Sequence, residues 1–101
     1  MPLPAFIEAL RDRDPDLYEV VSKLALKSMG PGALEPKTKI LITLALDAIV
    51  GAEQGVKGLA AQARRNGASE EEIAETLRLA YFVAGNSVLV ASAFAYQDPG
   101  K

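Results

Sequence analysis

The segment from Pro36 to Gly51, "PKTKILITLALDAIVG", constrains the fold of this chain most strongly. A helix over this segment would be apolar nearly all the way round, with Asp47 as the main interruption. In a soluble protein, such a helix is covered by neighbours on several sides or by another subunit. The run from Ile40 to Val50 is also too short to span a bilayer. The segment therefore predicts a buried central helix in a chain that associates with copies of itself.

Helix start and stop signals divide the rest of the chain. Asp14 is a natural N-cap with Pro15 at the first helical position, and Gly30-Pro31-Gly32 ends the helix that follows. We find no convincing period-two alternation that would indicate strands. These signals predict an all-α, single-domain bundle of five to six helices over residues 1–101, in which residues 1–33 form N-terminal helices.

The second half of the chain has the clearest local signals. Gly67 is the expected left-handed stop of one helix, and Ser69 with Glu72 forms a capping box that opens the next. The sequence "GNS" at 85–87 predicts a break or a kink in that final helix. Residues 97–101, "QDPGK", are expected to form a frayed tail.

Composition restricts the chemistry of the chain. Among its 101 residues there is no cysteine and no histidine. A thiol nucleophile, a thiolate metal site and imidazole acid–base catalysis are therefore excluded, and we predict no cofactor and no metal. The net charge of -2 comes from both signs spread along the chain, which predicts no nucleic-acid partner. The N-terminal stretch lacks the basic start of a signal peptide, so we predict a cytoplasmic protein with no membrane partner.

Two stretches carry a resemblance to a known family. "EPKTKILITLAL" and "LAAQARRNGASEEEIAETLRLAYFVAGNSVLVASAFA", with their spacing, resemble the carboxymuconolactone decarboxylase-like family, which includes the alkylhydroperoxidase D proteins. The resemblance covers about residues 34–95. It implies an alkylhydroperoxidase D-like helical fold and assembly of the chain with itself into trimers or hexamers.

The same resemblance shows which chemical groups are missing. Redox members of the family carry Cys-x-x-Cys-x-x-x-His on one helix and a Glu on the preceding helix. The matching positions here are Ala52 and Gly55 for the cysteines, Leu59 for the histidine and Ile40 for the acid. Because peroxide reduction requires one thiolate to attack and a second thiol to resolve the product, family-type thiol peroxidase activity is disfavoured.

Asp47 is the first candidate for chemistry. It lies about 700° after Ile40 on a helix, so it projects from nearly the same face but about 10 Å further along. Among apolar neighbours its carboxyl would tend towards a raised pKa, which a general acid needs. The alternative is an exposed or ion-paired residue on a polar ribbon with Lys39 and Thr43.

Three further residues complete the candidate catalytic set of Asp47, Glu53, Lys57 and Tyr81. Glu53 and Lys57 have i,i+4 spacing, which indicates either an acid–base pair or simple support of the helix. Tyr81 is either a core aromatic beside Phe82 or a hydroxyl in a cleft. The small residues Gly51, Ala52, Gly55 and Gly58 indicate close backbone packing or space for a ligand.

Two functions fit these observations. The first is acid–base chemistry on, or binding of, a small organic acid, with a lyase-type (decarboxylase-like) reaction if the chain is an enzyme. The second is a non-catalytic homo-oligomeric scaffold or binding module that has lost the active groups. A side-chain cavity shared by Asp47, Glu53 and Lys57 would favour the first.

Overall fold

The computed structural model describes residues 3–100, and within them it contains six α-helices and no strand. The helices are α1 (Ala5–Glu8), α2 (Leu10–Arg13), α3 (Pro15–Met29), α4 (Pro36–Val50), α5 (Glu53–Arg65) and α6 (Glu70–Ser92), and a 3₁₀ turn follows at Ala93–Tyr96. The all-α prediction is confirmed. The chain divides into two compact units, one ending at Glu35 and the other beginning at Pro36, and each is described by itself.

The N-terminal unit contains α1, α2 and α3. Asp14 caps α3 as predicted, with its Oδ1 accepting a hydrogen bond from the Leu17 amide at 3.1 Å and Pro15 in the first turn. Tyr18 connects α3 to the preceding helices, because its hydroxyl donates to Glu8 at 3.1 Å and accepts from Arg11 at 2.8 Å. One side of α3 is apolar and exposed, at Leu17, Val20 and Leu24, and Leu26 is exposed on the opposite side.

The second unit is built around α4, which packs against both α5 and α6. The fully buried side chain of Leu44 lies at the centre of this unit. The other buried side chains from residue 36 to residue 100 come from all three helices: Ile40, Ala63, Ile73 and Ala80. The prediction that α4 is a central helix is therefore correct, although Ile42, Leu46 and Val50 on its other side are exposed.

The same C-terminal motif ends α4 and α5. Gly51 has φ +76°, its amide donates to Ala48 O at 3.3 Å, and the Ala52 amide donates to Asp47 O at 2.9 Å. After α5, Gly67 has φ +89° and the Ala68 amide donates to Ala63 O at 2.9 Å. Both are Schellman motifs, in which a left-handed glycine lets the chain reverse while the last carbonyls of the helix remain hydrogen-bonded. The predicted stop at Gly67 is confirmed.

Glu72 joins the start of α6 to the start of α4. Its Oε1 accepts from the Ser69 amide at 2.8 Å while the Ser69 hydroxyl accepts from the Glu72 amide at 3.0 Å, which confirms the predicted capping box. Its second oxygen accepts from Lys37 Nζ at 3.0 Å. The two helices therefore begin at the same end of the unit and run side by side.

Of the break or kink predicted at 85–87, the break is wrong. Helix α6 is continuous from Glu70 to Ser92, and Asn86 lies inside it rather than at a cap. A glycine in a helix interior costs only about 1 kcal/mol relative to alanine. Leucine and alanine on both sides of Gly85 are good helix formers, so one glycine does not end the helix.

The length of α6 decides which of its side chains are covered. At about 1.5 Å per residue, α6 with 23 residues extends about 35 Å, whereas α4 with 15 residues extends about 23 Å. Because Lys37 and Glu72 set the two helices level at their starts, α4 ends about level with Gly85. Beyond that point α6 has no neighbour within its own unit, and every residue from Asn86 to Gly100 is exposed.

Replacement of Glu72 by glutamine tests this connection. The hydrogen bond from the Ser69 amide and the Lys37 ammonium hold the pKa of Glu72 below its ordinary value. The carboxylate therefore stabilises the folded state above its unfolded-state pKa of about 4.3, and this contribution is lost as the pH falls through the lower folded-state pKa. Thermal unfolding from about pH 7 to about pH 3 should show E72Q melting below wild type, with a gap that closes on acidification.

The matched control is E71Q, which removes a carboxylate from the same exposed turn outside the capping box. It should shift the melting temperature less than E72Q at neutral pH. Equal shifts in the two variants, or a gap for E72Q that does not depend on pH, would contradict the assigned role of Glu72.

Candidate functional site

The end of α4 and the start of α5 bring Asp47 beside the small residues of "GAEQG". Ile40, Leu44 and Asp47 follow one another at helical spacing, and the first two are buried, so Asp47 continues the core-facing side of α4. Its side chain is half-buried. The Schellman turn at Gly51 then reverses the chain and sets the first turn of α5 over it.

The Asp47 carboxylate lies directly against Gly55. A methyl group at Gly55 would overlap Asp47 Oδ2 and lie 3.0 Å from its Cγ. The carboxylate thus occupies the volume that any side chain at position 55 would need. The sequence indicated close backbone packing or space for a ligand at these small residues; at Gly55 the neighbour is instead the side-chain carboxylate of Asp47. Gly58, by contrast, has open space at its Cβ position.

The carboxylate of Asp47 also lies near the N-terminal end of α5. Ala52 precedes this helix and supplies no side-chain cap. A negative charge near a helix N-terminus is stabilising, because the unpaired amides there carry partial positive charge. Asp47 therefore supplies charge at a helix start whose own cap residue has none.

Glu53 and Lys57 do not join Asp47. On α5, each is about 200° from Gly55, so both project from the side opposite to the one that faces Asp47. Both are exposed, and among the described side chains no ion pair within 4.0 Å joins them. The three residues thus lie on two different sides of α5 and do not form one cavity.

Tyr81 is far from the core position that the sequence indicated. Its side chain is 80% exposed, and that of Phe82 is 62% exposed. The interpretation of these two as core aromatics is wrong, because α4 and α5 cover a narrower strip of α6 than its composition suggests. Tyr81 presents its hydroxyl to the surface.

The positions that match the family's redox residues are occupied by packing side chains. Ile40 is buried in the core of the unit, Leu59 is half-buried on α5, and Ala52 lies between the two helices. None of these groups transfers protons or electrons at neutral pH. Within residues 3–100, no cluster of three or more His, Cys, Asp or Glu side chains is arranged to hold a metal ion.

One surface feature was not identified from the sequence. The second half of α6 carries a shallow apolar depression lined by Val83, Asn86, Ser87, Val90, Ala91 and Phe94. Residues Glu70–Tyr96 are also long and apolar enough to cross a membrane by length and composition. One such helix is weak evidence for a membrane span, and its first turns carry Glu70, Glu71, Glu72, Glu75 and Arg78. In the sequence, the signal for this surface was the apolar stretch from Leu79 to Tyr96, which contains no charged residue.

The fold and the residues at the redox-equivalent positions define a class of protein. It is an all-helical bundle in which a central apolar helix is followed by a second helix, and that second helix carries the redox motif in active members. Comparison with known proteins identifies the family. A family model described as the carboxymuconolactone decarboxylase family matches residues 15–98. The chain belongs to that family.

A curated relative is also similar over most of its length. An uncharacterised protein of Methanocaldococcus jannaschii is 32% identical over 79 residues, which cover 78% of this chain and 74% of the relative. This similarity supports the same family and assigns no reaction.

Substitutions at the two glycines of α5 test the contact between Asp47 and Gly55. G55A should lower stability, because the carboxylate must leave its position to admit the methyl group. G58A should raise stability by about 0.5–1 kcal/mol, since alanine favours a helix and meets open space. Chemical denaturation of both variants measures the difference.

The double variant D47A/G55A isolates the cause. With the carboxylate removed, the alanine at position 55 should recover the gain expected for a helix interior relative to D47A alone. If G55A and G58A change the free energy of unfolding equally in the presence of Asp47, the assigned contact is wrong.

Proposed function

We propose that this chain is a homo-oligomeric, non-catalytic helical module, in which the family's fold serves assembly and the family's redox groups are replaced by packing residues. The observation that carries the proposal is the exposed apolar surface of α6 from Leu79 onward and of the 3₁₀ turn that follows it. The exposed large apolar residues of this surface are Leu79, Tyr81, Phe82, Val83, Val88, Leu89, Val90, Phe94 and Tyr96.

The area of this surface favours association. Side chains of these sizes and exposures present on the order of 1,000 Å² of apolar surface. The largest apolar patch on an ordinary monomer is about 300–600 Å², and a standard protein interface buries about 800 Å² on each partner. The apolar side chains also surround the helix rather than forming one stripe, which is typical of a helix covered on several sides.

The small core of the second unit supports the same conclusion. Its buried side chains are few for a unit of this size, and two of them are alanines. Small units that bury little apolar surface generally depend on disulfides, metals or association for stability. A disulfide is excluded by the absence of cysteine.

The dispersal of the candidate groups supports a non-catalytic role. A catalytic acid–base pair must lie within hydrogen-bond reach of one substrate. Asp47 faces Gly55, whereas Glu53 and Lys57 lie on the other side of α5 and Tyr81 is on the surface of α6.

We further propose that the partner is the chain itself, as a trimer or a hexamer, in the cytoplasm and without nucleic acid or membrane.

Sedimentation equilibrium across micromolar concentrations tests assembly. Wild type should have the mass of an oligomer, and A91K should dissociate at concentrations at least about tenfold higher, because an unpaired charge would be buried in the interface. A74K places the same charge on an exposed position in the first half of α6 and should leave the mass unchanged. A monomeric wild type at these concentrations would contradict the proposal, as would equal behaviour of the two variants.

A second candidate function rests on the half-buried position of Asp47. A carboxylate near the core with a helix N-terminus beside it is a plausible proton donor or acceptor for a small organic acid. This candidate is a lyase-type, decarboxylase-like reaction that uses Asp47, with Glu53, Lys57 and Tyr81 outside the site.

An assay of carboxymuconolactone turnover, monitored by the release of CO₂, tests this second candidate. If Asp47 is the acid–base group, D47N should lower the rate by about 10²-fold or more, while D12N, an exposed carboxylate of the N-terminal unit, should leave it unchanged. No turnover by the wild-type oligomer of this acid or of related small carboxylic acids would remove the candidate and leave the assembly proposal standing.

A further inference from the structure

A single seam runs along α6 and into the 3₁₀ turn that follows it. Its residues follow one another at alternating intervals of four and three, which keeps them on one side: Ile73, Leu77, Ala80, Ala84, Ser87 and Ala91 on α6, and Phe94 in the 3₁₀ turn. Ile73 and Ala80 are buried within the protomer. The seam is therefore an established packing surface in its first half.

The second half of the seam continues the same pattern without a neighbour. Ser87, Ala91 and Phe94 are exposed, and Phe94 retains 69% of its side-chain exposure. They line the shallow depression together with Val83 and Val90. The pattern does not change at the point where α4 ends, so the sequence is suited to helix packing beyond the reach of this protomer.

The size of the side chains indicates how closely a partner helix approaches. Ala84, Ser87 and Ala91 are small, and small residues on a seam allow two helix backbones to come close together. Phe94 is the large residue at the end of the series. Facing surfaces pack well where large side chains meet small ones.

The spacing of these four residues is symmetric about Leu89. Positions 84 and 94 lie equally far from 89, as do positions 87 and 91. Two copies of the helix that cross antiparallel at Leu89 therefore place Phe94 of each against Ala84 of the other, and Ser87 of each against Ala91 of the other. A parallel pair would instead oppose Phe94 to Phe94 and leave the small residues facing each other across a gap.

We propose that two copies of this chain associate along this seam through the second halves of their α6 helices, antiparallel and crossing at the axial level of Leu89, whose own side chain lies on the other side of the helix. This inference rests on the proposed assembly and names the surface that performs it. The arrangement is isologous, so one two-fold axis closes the contact and buries both depressions at once. Of the two proposed assemblies, the hexamer, as two trimers related by two-fold axes, contains such a contact, and a closed trimer does not.

A second copy fits this surface better than lipid does. Asn86, Ser87 and Ser92 lie within the apolar stretch, and the side-chain amide of Asn86 has donors and acceptors that a lipid interior leaves unpaired. The seam is also continuous with the stripe that already packs against protein within the protomer. The absence of charge from Leu79 to Tyr96 means that two copies meet without burying an ion.

Because the chain has no cysteine, single introduced cysteines report this contact without interference. S87C and A91C, one carrying a mass tag, are mixed at low concentration, allowed to exchange subunits and then oxidised mildly. Facing cysteines form a disulfide readily where their Cα atoms approach to about 4.4–6.8 Å. The mixture should form the S87C–A91C disulfide on the order of tenfold faster than either variant alone forms a disulfide. In the antiparallel pair, the two copies of position 87 are offset from each other by about 6 Å along the helix axis, and so are the two copies of position 91.

The control is A74C, an alanine exposed on the first half of α6, which should cross-link no faster than a chance collision allows. Sedimentation of each reduced variant accompanies the oxidation. If S87C alone cross-links faster than the mixture, the helices are parallel and the inference is wrong. If the variants remain oligomeric and no pair cross-links faster than A74C, another surface mediates assembly, which overturns this inference and leaves the proposed function intact.

Wild-type chain with neutral phosphatidylcholine vesicles completes the experiment. Flotation should leave the oligomer in the aqueous fraction. A chain that is monomeric without vesicles and floats with them uses α6 to contact lipid, and that result would overturn both this inference and the proposed function.

Discussion

The packing of α4 against α6 sets the register on which the second unit depends, and the ion pair between Lys37 and Glu72 marks that register at the helix starts. Glu72 accepts from the Ser69 amide at 2.8 Å with one carboxylate oxygen and from Lys37 at 3.0 Å with the other, so the start of α6 is fixed level with the start of α4. With the two starts level, the difference in length between α4 and α6 decides which part of α6 is covered. Helix α4 ends near the level of Gly85, and the remainder of α6 extends past the end of α4.

This register explains the distribution of polar and apolar groups. Four of the side chains that the unit buries lie in the stretch where α4 and α6 run together, at Ile40, Leu44, Ile73 and Ala80, and the buried Ala63 comes from α5. The bidentate contact of Arg64 with Glu70, at 2.6 and 3.1 Å, closes the short turn from α5 to α6 on the exposed side. The apolar residues beyond Gly85 are left for another molecule to cover. The seam that continues through Ser87, Ala91 and Phe94 supplies a surface suited to that role.

Features set by a few neighbouring residues could be predicted from the sequence. Asp14 with Pro15, the capping box of Ser69 and Glu72, and the stop at Gly67 each depend on one turn of chain, and all three are present. The continuity of α6 through Gly85 was missed, because the cost of one glycine is local whereas the gain from a long apolar helix is spread over many residues. The exposure of Tyr81 was missed because it depends on which strip of α6 the other helices cover, which no local pattern states.

The candidate site shows the same division. Asp47 was correctly placed on the face of Ile40, because helical periodicity alone decides that. The approach of Asp47 to Gly55 depends on the Schellman turn at Gly51, and the glycines at 51 and 55 were its available signal. The separation of Glu53 and Lys57 from Gly55 by about 200° was also readable from helical geometry. Helical periodicity does not show which side of α5 packs against α4. That packing decides which of the candidate residues come together.

The central claim is that the second half of α6 is covered by protein in solution. Hydroxyl-radical footprinting of Phe94 measures this directly, since this residue is 69% exposed in the protomer. With rising protein concentration, Phe94 on the seam should become protected several-fold, and dilution below the dissociation constant should restore its reactivity. Oxidation of Phe94 at the rate of an exposed phenylalanine at every concentration, in a chain that is fully folded, would contradict the account.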